Sequence, residues 1–405
     1  MIGAAVEPER RTLAARVSWL FAAIFFVTGN SLPYLPVWLA WTGLTPREIA
    51  VISACPLFVR LVAAPAIAFA ADRSGAHRRF LIGLSWSAVA AQLLLAQMRT
   101  FWPILLCSLL LALAWASIMP LAETIAIRGM KSARLDYGRM RLWGSISFTA
   151  AALSGGWLVQ HTDPQAVMWL LIAGSTLMAL AAHGLAEPAD AQRLRPTTPT
   201  LRPRDVAGLL RSPTFLVFLL AAGAIQATHA VFYTFGTLHW RALGLSTFVA
   251  GWLWTAGVTA EILVFAFSAA LVRRASPSAL LALAAAGAIT RWGAMACDPA
   301  LWLLFGLQAL HGVTFAVTHI GAIHFMARWV PEGQSGTAQA LYASCTSGLL
   351  LGGATLLVGP LYADYGGRAY LAMAALAALA LLAALALRRL SRQARSALPA
   401  EGAAF

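Results

Sequence analysis

Leu135–Phe148 reads LDYGRMRLWGSISF, a polar and basic opening that turns apolar within a few residues, and it follows the basic turn Arg128–Arg134, RGMKSAR. Glu123 precedes that turn and Arg141 follows it, each nine residues from Ser132. If both flanks are helical, folding about the turn brings acid and base to one depth. The surrounding runs are apolar, so the pair would lie inside a membrane. Ionisable groups there are costly, and they mark a solute or ion path more often than a clip between helices.

The rest of the 405 residues agrees with a membrane setting. Sixty per cent are hydrophobic and 11% charged, with a mean hydropathy of +0.74, which excludes a soluble multidomain protein. Apolar runs long enough to cross a hydrocarbon core of about 30 Å occur twelve times. They cover 17–40, 47–71, 80–98, 101–128, 140–160, 165–186, 213–238, 246–272, 279–297, 301–327, 337–362 and 368–390. Their unbroken Leu- and Ala-rich texture predicts helices and excludes a β-barrel, whose strands alternate. Val17–Ala40 is too long for a signal-peptide h-region, so the first helix is expected to stay.

A net charge of +14 could suit nucleic acid, but the basic residues alternate by loop. Twenty-three fall on one side of the twelve spans and four, Arg47, Arg99, Arg241 and Arg368, on the other, while Arg60 and Arg291 lie inside apolar runs. That asymmetry predicts cytoplasmic termini and no nucleic-acid partner. Cys55, Cys107, Cys297 and Cys345 show no CxxC or metal spacing, so neither metal nor cofactor is expected. No GxSxG, HExxH, P-loop or dinucleotide fingerprint occurs in a polar segment, which argues against an enzyme.

Residues 187–212, Pro- and Arg-rich, read as a cytoplasmic linker dividing an N-terminal six-helix lobe (1–186) from a C-terminal one (213–405). The turn RRASPS at 273–278 stands where DRSGAHRR stands in the first half, a weak internal symmetry that predicts a binding site at midplane. In the first span Asn30 and Tyr34 put polar groups at membrane depth beside Pro33 and Pro36. Arg60 should face the interior of the protein. In the second half Glu261 and Arg291 are each fifteen residues from Ser276, and Arg291 and His311 each ten from Leu301, so three titratable groups should meet at one level. Proton coupling needs that set: a carboxylate that can hold a proton when desolvated, a fixed cation, and an imidazole to relay or orient.

The loop AADRSGAHRRF (70–80), with Asp72, Arg73 and Gly75, resembles the conformational loop between helices 2 and 3 of the major facilitator superfamily; its opening glycine is not matched, Ala68 and Phe69 standing there. PYLPVWL, LTPREIA, LDYGRMRLWGSISF, ATHAVFYTF, LWTAGVTAEILVFAFS, TRWGAM and LHGVTF are similar to the 3-phenylpropionic acid transporter branch. More distantly the chain resembles the lactose/proton permeases. The resemblance implies an all-α, twelve-helix transporter in the cytoplasmic (inner) membrane of a bacterium, monomeric, moving a small solute with a proton by alternating access. The residues and the resemblance together give the expected substrate contacts as Glu123, Arg141, Trp143, Phe148, Asn30, Tyr34, Arg60 and His229, and the expected coupling residues as Glu261, Arg291 and His311. Phe148 and Val264 stand where the permease has a sugar-stacking tryptophan and an asparagine, and Thr314 replaces its helix-10 carboxylate. An aromatic carboxylate is therefore expected over a sugar, with Glu261 as proton carrier; a uniporter or efflux carrier, or a sugar or nucleoside symporter, are the alternatives.

Overall fold

The structure, a computed structural model, describes residues 3–133, 136–185 and 203–396. Among these it is helical, with no strand. The first half contains α1 (Gly3–Trp41), α2 (Pro46–Ser74), α3 (His77–Leu95), α4 (Phe101–Trp115), α5 (Ile118–Ala133), α6 (Tyr137–His161) and α7 (Ala166–His183). Then come α8 (Pro203–Leu210), α9 (Pro213–Ala227), α10 (Ala230–Ala242), α11 (Thr247–Ala266), α12 (Ser268–Arg274) and α13 (Pro277–Met295). The chain closes with α14 (Leu301–His311), α15 (Thr318–Trp329), α16 (Ser335–Ala343), α17 (Leu351–Tyr365) and α18 (Tyr370–Ser396). Two π-helical stretches, Gly312–Val317 and Ser344–Leu350, join α14 to α15 and α16 to α17.

Ten stretches among the described residues are long and apolar enough to cross a membrane. The tenth, Glu332–Gln393, is two helices meeting at the 3₁₀ turn Gly366–Ala369, and α3, which is not among the ten, is 19 residues long and largely apolar after Arg78 and Arg79. With these the twelve expected spans are accounted for. Several are broken: Pro120 has no N–H and its ring opposes the carbonyl of Ala116, where α4 gives way to α5. The expected linker falls partly outside the described residues, and its remainder carries the helix α8, which the absence of an apolar period had hidden.

Local signals set the helix starts. Thr45 and Glu48 form a capping box on α2, and Asp136 accepts from the Arg139 N–H at 3.1 Å to start α6. Ser212 and Ser276, each followed by proline at the first helical position, cap α9 and α13. Gly75 ends α2 at φ 67°, a left-handed conformation that explains the glycine of the 70–80 loop.

By contacts the chain forms two units, Met1–Thr198 with Phe232–Thr255, and Pro199–Val231 with Ala256–Phe405. The six-and-six order of the sequence is therefore not the division by contact, because the end of α10 and the start of α11 belong with α1 and α6. Tyr34 of α1 donates to the Ala152 carbonyl and lies 3.4 Å from that of Thr247, whose hydroxyl donates to Gly156 O at 2.7 Å. A side chain at Gly156 would collide with the Thr247 carbonyl, and one at Gly251 with the Ala152 carbonyl, so only glycine permits this approach. The core of the first unit gathers Leu20, Phe21, Ile24, Leu121, Ile125 and Met140; that of the second gathers Phe218, Ile225, Leu281, Phe325 and Leu387.

Candidate functional site

Among the described residues two polar clusters lie in the apolar spans, one in each unit. In the first, Glu123 on α5 and Arg141 on α6 share a level but make no ion pair within 4 Å. Tyr137 stands by both: its hydroxyl donates to Glu123 Oε1 at 3.4 Å, and it also faces Arg141. The expected direct pair is thus corrected to an acid and a base with a phenol beside them, since Tyr137 is one helical turn before Arg141. The Arg141 guanidinium sits over the Phe25 ring at 4.0 Å and that of Phe21 at 5.7 Å, and Phe21 meets Tyr137 edge-on at 6.1 Å. Gly144 explains how: a Cβ there would lie 2.8 Å from Phe25 and 3.1 Å from Arg141 Nη1.

Other expected contacts divide by azimuth. Phe148 is seven residues from Arg141, about 20° around the helix, and is buried with its backbone against Gly29. Trp143 is corrected: two residues on, about 200° around, it is 55% exposed in a stripe with Leu142, Ile146 and Trp157 and cannot share a ligand with Arg141. Asn30 and Tyr34 are also corrected, being fully buried against glycines. Asn30 donates to Phe26 O at 3.0 Å and its Oδ1 abuts Gly155, which has no room for a Cβ, while Tyr34 is used on Ala152 and Thr247. Arg60 is exposed on α2, about 180–200° from the apolar exposed stripe of Val62 and Phe69. It therefore stands on the opposite face of α2 from that stripe.

In the second unit Glu261 (α11), Arg291 (α13) and His311 (α14) come together. Arg291 Nη1 reaches His311 Nδ1 and Thr314 Oγ1, both at 3.1 Å, and its Nη2 donates to Gln308 Oε1 at 2.7 Å. Arginine only donates, so His311 Nδ1 must accept and its proton sits on Nε2. That atom faces Glu261 Oε2 at 3.7 Å. His229, expected among substrate contacts, instead joins this group: its Nε2 is 3.0 Å from Thr314 Oγ1, its Nδ1 is 3.1 Å from Gln226 O, and its ring meets His311 edge-on at 5.3 Å. A donor chain follows, from Arg291 to the Thr314 oxygen, from the Thr314 hydroxyl to His229, and from His229 to a backbone carbonyl. The π-helical stretch right after His311 turns Thr314 into the cluster, and such bulges recur at functional sites.

At the 70–80 loop, Asp72 is 2.7 Å from the buried His77 Nε2, while Arg73 is exposed. His77, Phe25, Tyr137, Gly144 and Gln308 were missed in the sequence. Tyr137 and Gln308 are legible as one-turn neighbours of Arg141 and His311; Phe25 and His77 have no local signal. Among the described residues no cluster could hold a metal ion.

Known proteins agree with this architecture. Residues 15–372 match the MFS_1 like family. The probable 3-phenylpropionic acid transporter of Escherichia coli (strain K12) is 31% identical over 368 residues, 88% of this chain and 94% of that protein. The maltose permease of Geobacillus stearothermophilus is 29% identical over 341 residues, 80% and 82% of the two. The nucleoside transporter NupG superposes with a TM-score of 0.83 at 18% identity, covering 93% of this chain and 98% of its own. A chain with these spans and this match is a multi-pass secondary transporter and not an enzyme, and it belongs to the MFS_1 like family of the major facilitator superfamily.

Proposed function

We propose that this transporter imports an aromatic carboxylate, of the phenylpropionate kind, together with a proton. The observation that carries the reading is Arg141, which has no carboxylate in ion-pair range among the described residues and lies on the rings of Phe25 and Phe21. A guanidinium so held offers a bidentate seat for a carboxylate, with phenyl faces beside it for an attached ring. The E. coli relative, a probable 3-phenylpropionic acid transporter, supports the same class.

Coupling is assigned to Glu261. His311 presents Nε2–H toward it, and Arg291 is the fixed cation behind the imidazole, so His311 orients the Glu261 carboxylate, which itself takes up and releases the proton as the site opens to either side. We place the chain in the bacterial inner membrane as a monomer, with both termini cytoplasmic.

The test is uptake into vesicles holding the purified protein under an imposed pH gradient, with 3-phenylpropionate, maltose and a nucleoside as separate substrates. Accumulation of the aromatic acid alone is expected. Accumulation of maltose or nucleoside with no response to the acid overturns the substrate class, and equal uptake with and without the gradient overturns coupling. Arg141→Lys keeps the charge but loses the planar fork, and should lose most of the acid uptake.

A further inference from the structure

We propose that the first unit carries a binding site for one anionic phospholipid, on the groove between α1, α6 and α7. Arg16, Trp19, Ala23 and Phe26 form one stripe of α1, and Leu177 and Ala181 one stripe of α7 that Gly184 continues just past its end; between them lies an apolar cavity of about 340 Å³, large enough for a small ligand. Small residues make the space, and Ser147 Oγ ties α6 to the Ala22 carbonyl at 2.7 Å along it. Trp19 and Leu177, at the rim, are 70% and 54% exposed, so the groove opens on the surface of α1 and α7 with large apolar side chains at its mouth, a rim suited to an acyl chain.

The polar end is what selects the ligand. Arg16 lies at the start of the first span, its stem over Gly184 at 3.9 Å, exposed and with no hydrogen-bond or ion-pair partner among the described residues. Arg78, by contrast, donates to the His183 carbonyl at 2.9 Å and fixes the end of α7 beside it. A cation at the edge of the apolar span, above a groove with apolar walls, matches a phosphate joined to an acyl chain. Free phosphate would leave the groove unfilled, and a zwitterionic lipid brings its own cation to Arg16.

The protein in neutral detergent is heated with dioleoylphosphatidylglycerol, dioleoylphosphatidylcholine or inorganic phosphate, and its Tm is recorded. A rise with phosphatidylglycerol alone is expected, along with one such lipid retained in native mass spectra. Ala181→Phe, which fills the groove and removes no charge, should abolish both. Arg16→Gln should do the same without touching the packing, while Arg389→Gln in the second unit should change neither. An equal rise with phosphatidylcholine or with phosphate overturns the proposal. So does a phosphatidylglycerol effect that survives Arg16→Gln or Ala181→Phe, which would assign it to the overall positive charge or to another occupant of the groove.

Discussion

The work proposed for Glu261 and for Arg141 differs, and single substitutions separate the two. Glu261→Gln mimics the protonated acid, so it should lose uphill accumulation under a pH gradient yet keep exchange of labelled substrate across the vesicle membrane. If the variant still concentrates substrate, the proton travels by another group, with Glu123 the next to examine. Phe25→Ala removes the ring beneath Arg141. It should weaken binding of an aromatic acid by roughly 0.5–2 kcal/mol, the range of a cation–π contact, read as a rise in Kd by calorimetry. Gly144→Ala should reproduce much of that loss with Phe25 still present, because the new Cβ falls on that ring and on the guanidinium. Normal affinity in Gly144→Ala would show that the stacked geometry is dispensable.

Among the elements, the approach of α1, α6 and the start of α11 is the feature most sensitive to side-chain volume. Tyr34, Gly156, Thr247 and Gly251 leave no room for a Cβ there. Gly156→Val should push the start of α11 away from α6. Spin labels at Trp41 and Leu243, both exposed in the first unit, should then report a longer distance population, with slower transport. An unchanged distance distribution would mean the helices absorb the added volume by small shifts. This approach had no trace in the hydropathy pattern, since glycines in apolar runs read the same whether they face lipid or another backbone.

At the scale of the whole molecule, orientation can be read with one thiol. Cys297 is exposed in the turn between α13 and α14, whereas Cys107 is buried and Cys55 and Cys345 are partly covered. If the termini are cytoplasmic, as proposed, that turn faces outward, so a membrane-impermeant maleimide should label intact cells through Cys297 and fail on Cys297→Ser. Labelling only after lysis would invert the topology. Hydropathy and loop charge by themselves determined the twelve spans, and counting residues on either side of a turn brought Glu261, Arg291 and His311 to one level. Counting from a turn reports depth along a helix, because the rise per residue is constant. It does not report azimuth against neighbouring helices, which packing sets. Only the tertiary structure therefore turned Asn30 and Tyr34 onto glycines, laid Phe25 under Arg141, put Tyr137 beside Glu123 and Arg141 in place of a direct ion pair, and moved His229 into the cluster of Arg291 and Thr314. Trp143 is the exception that was legible: two residues from Arg141 on one helix, it had to face the other way.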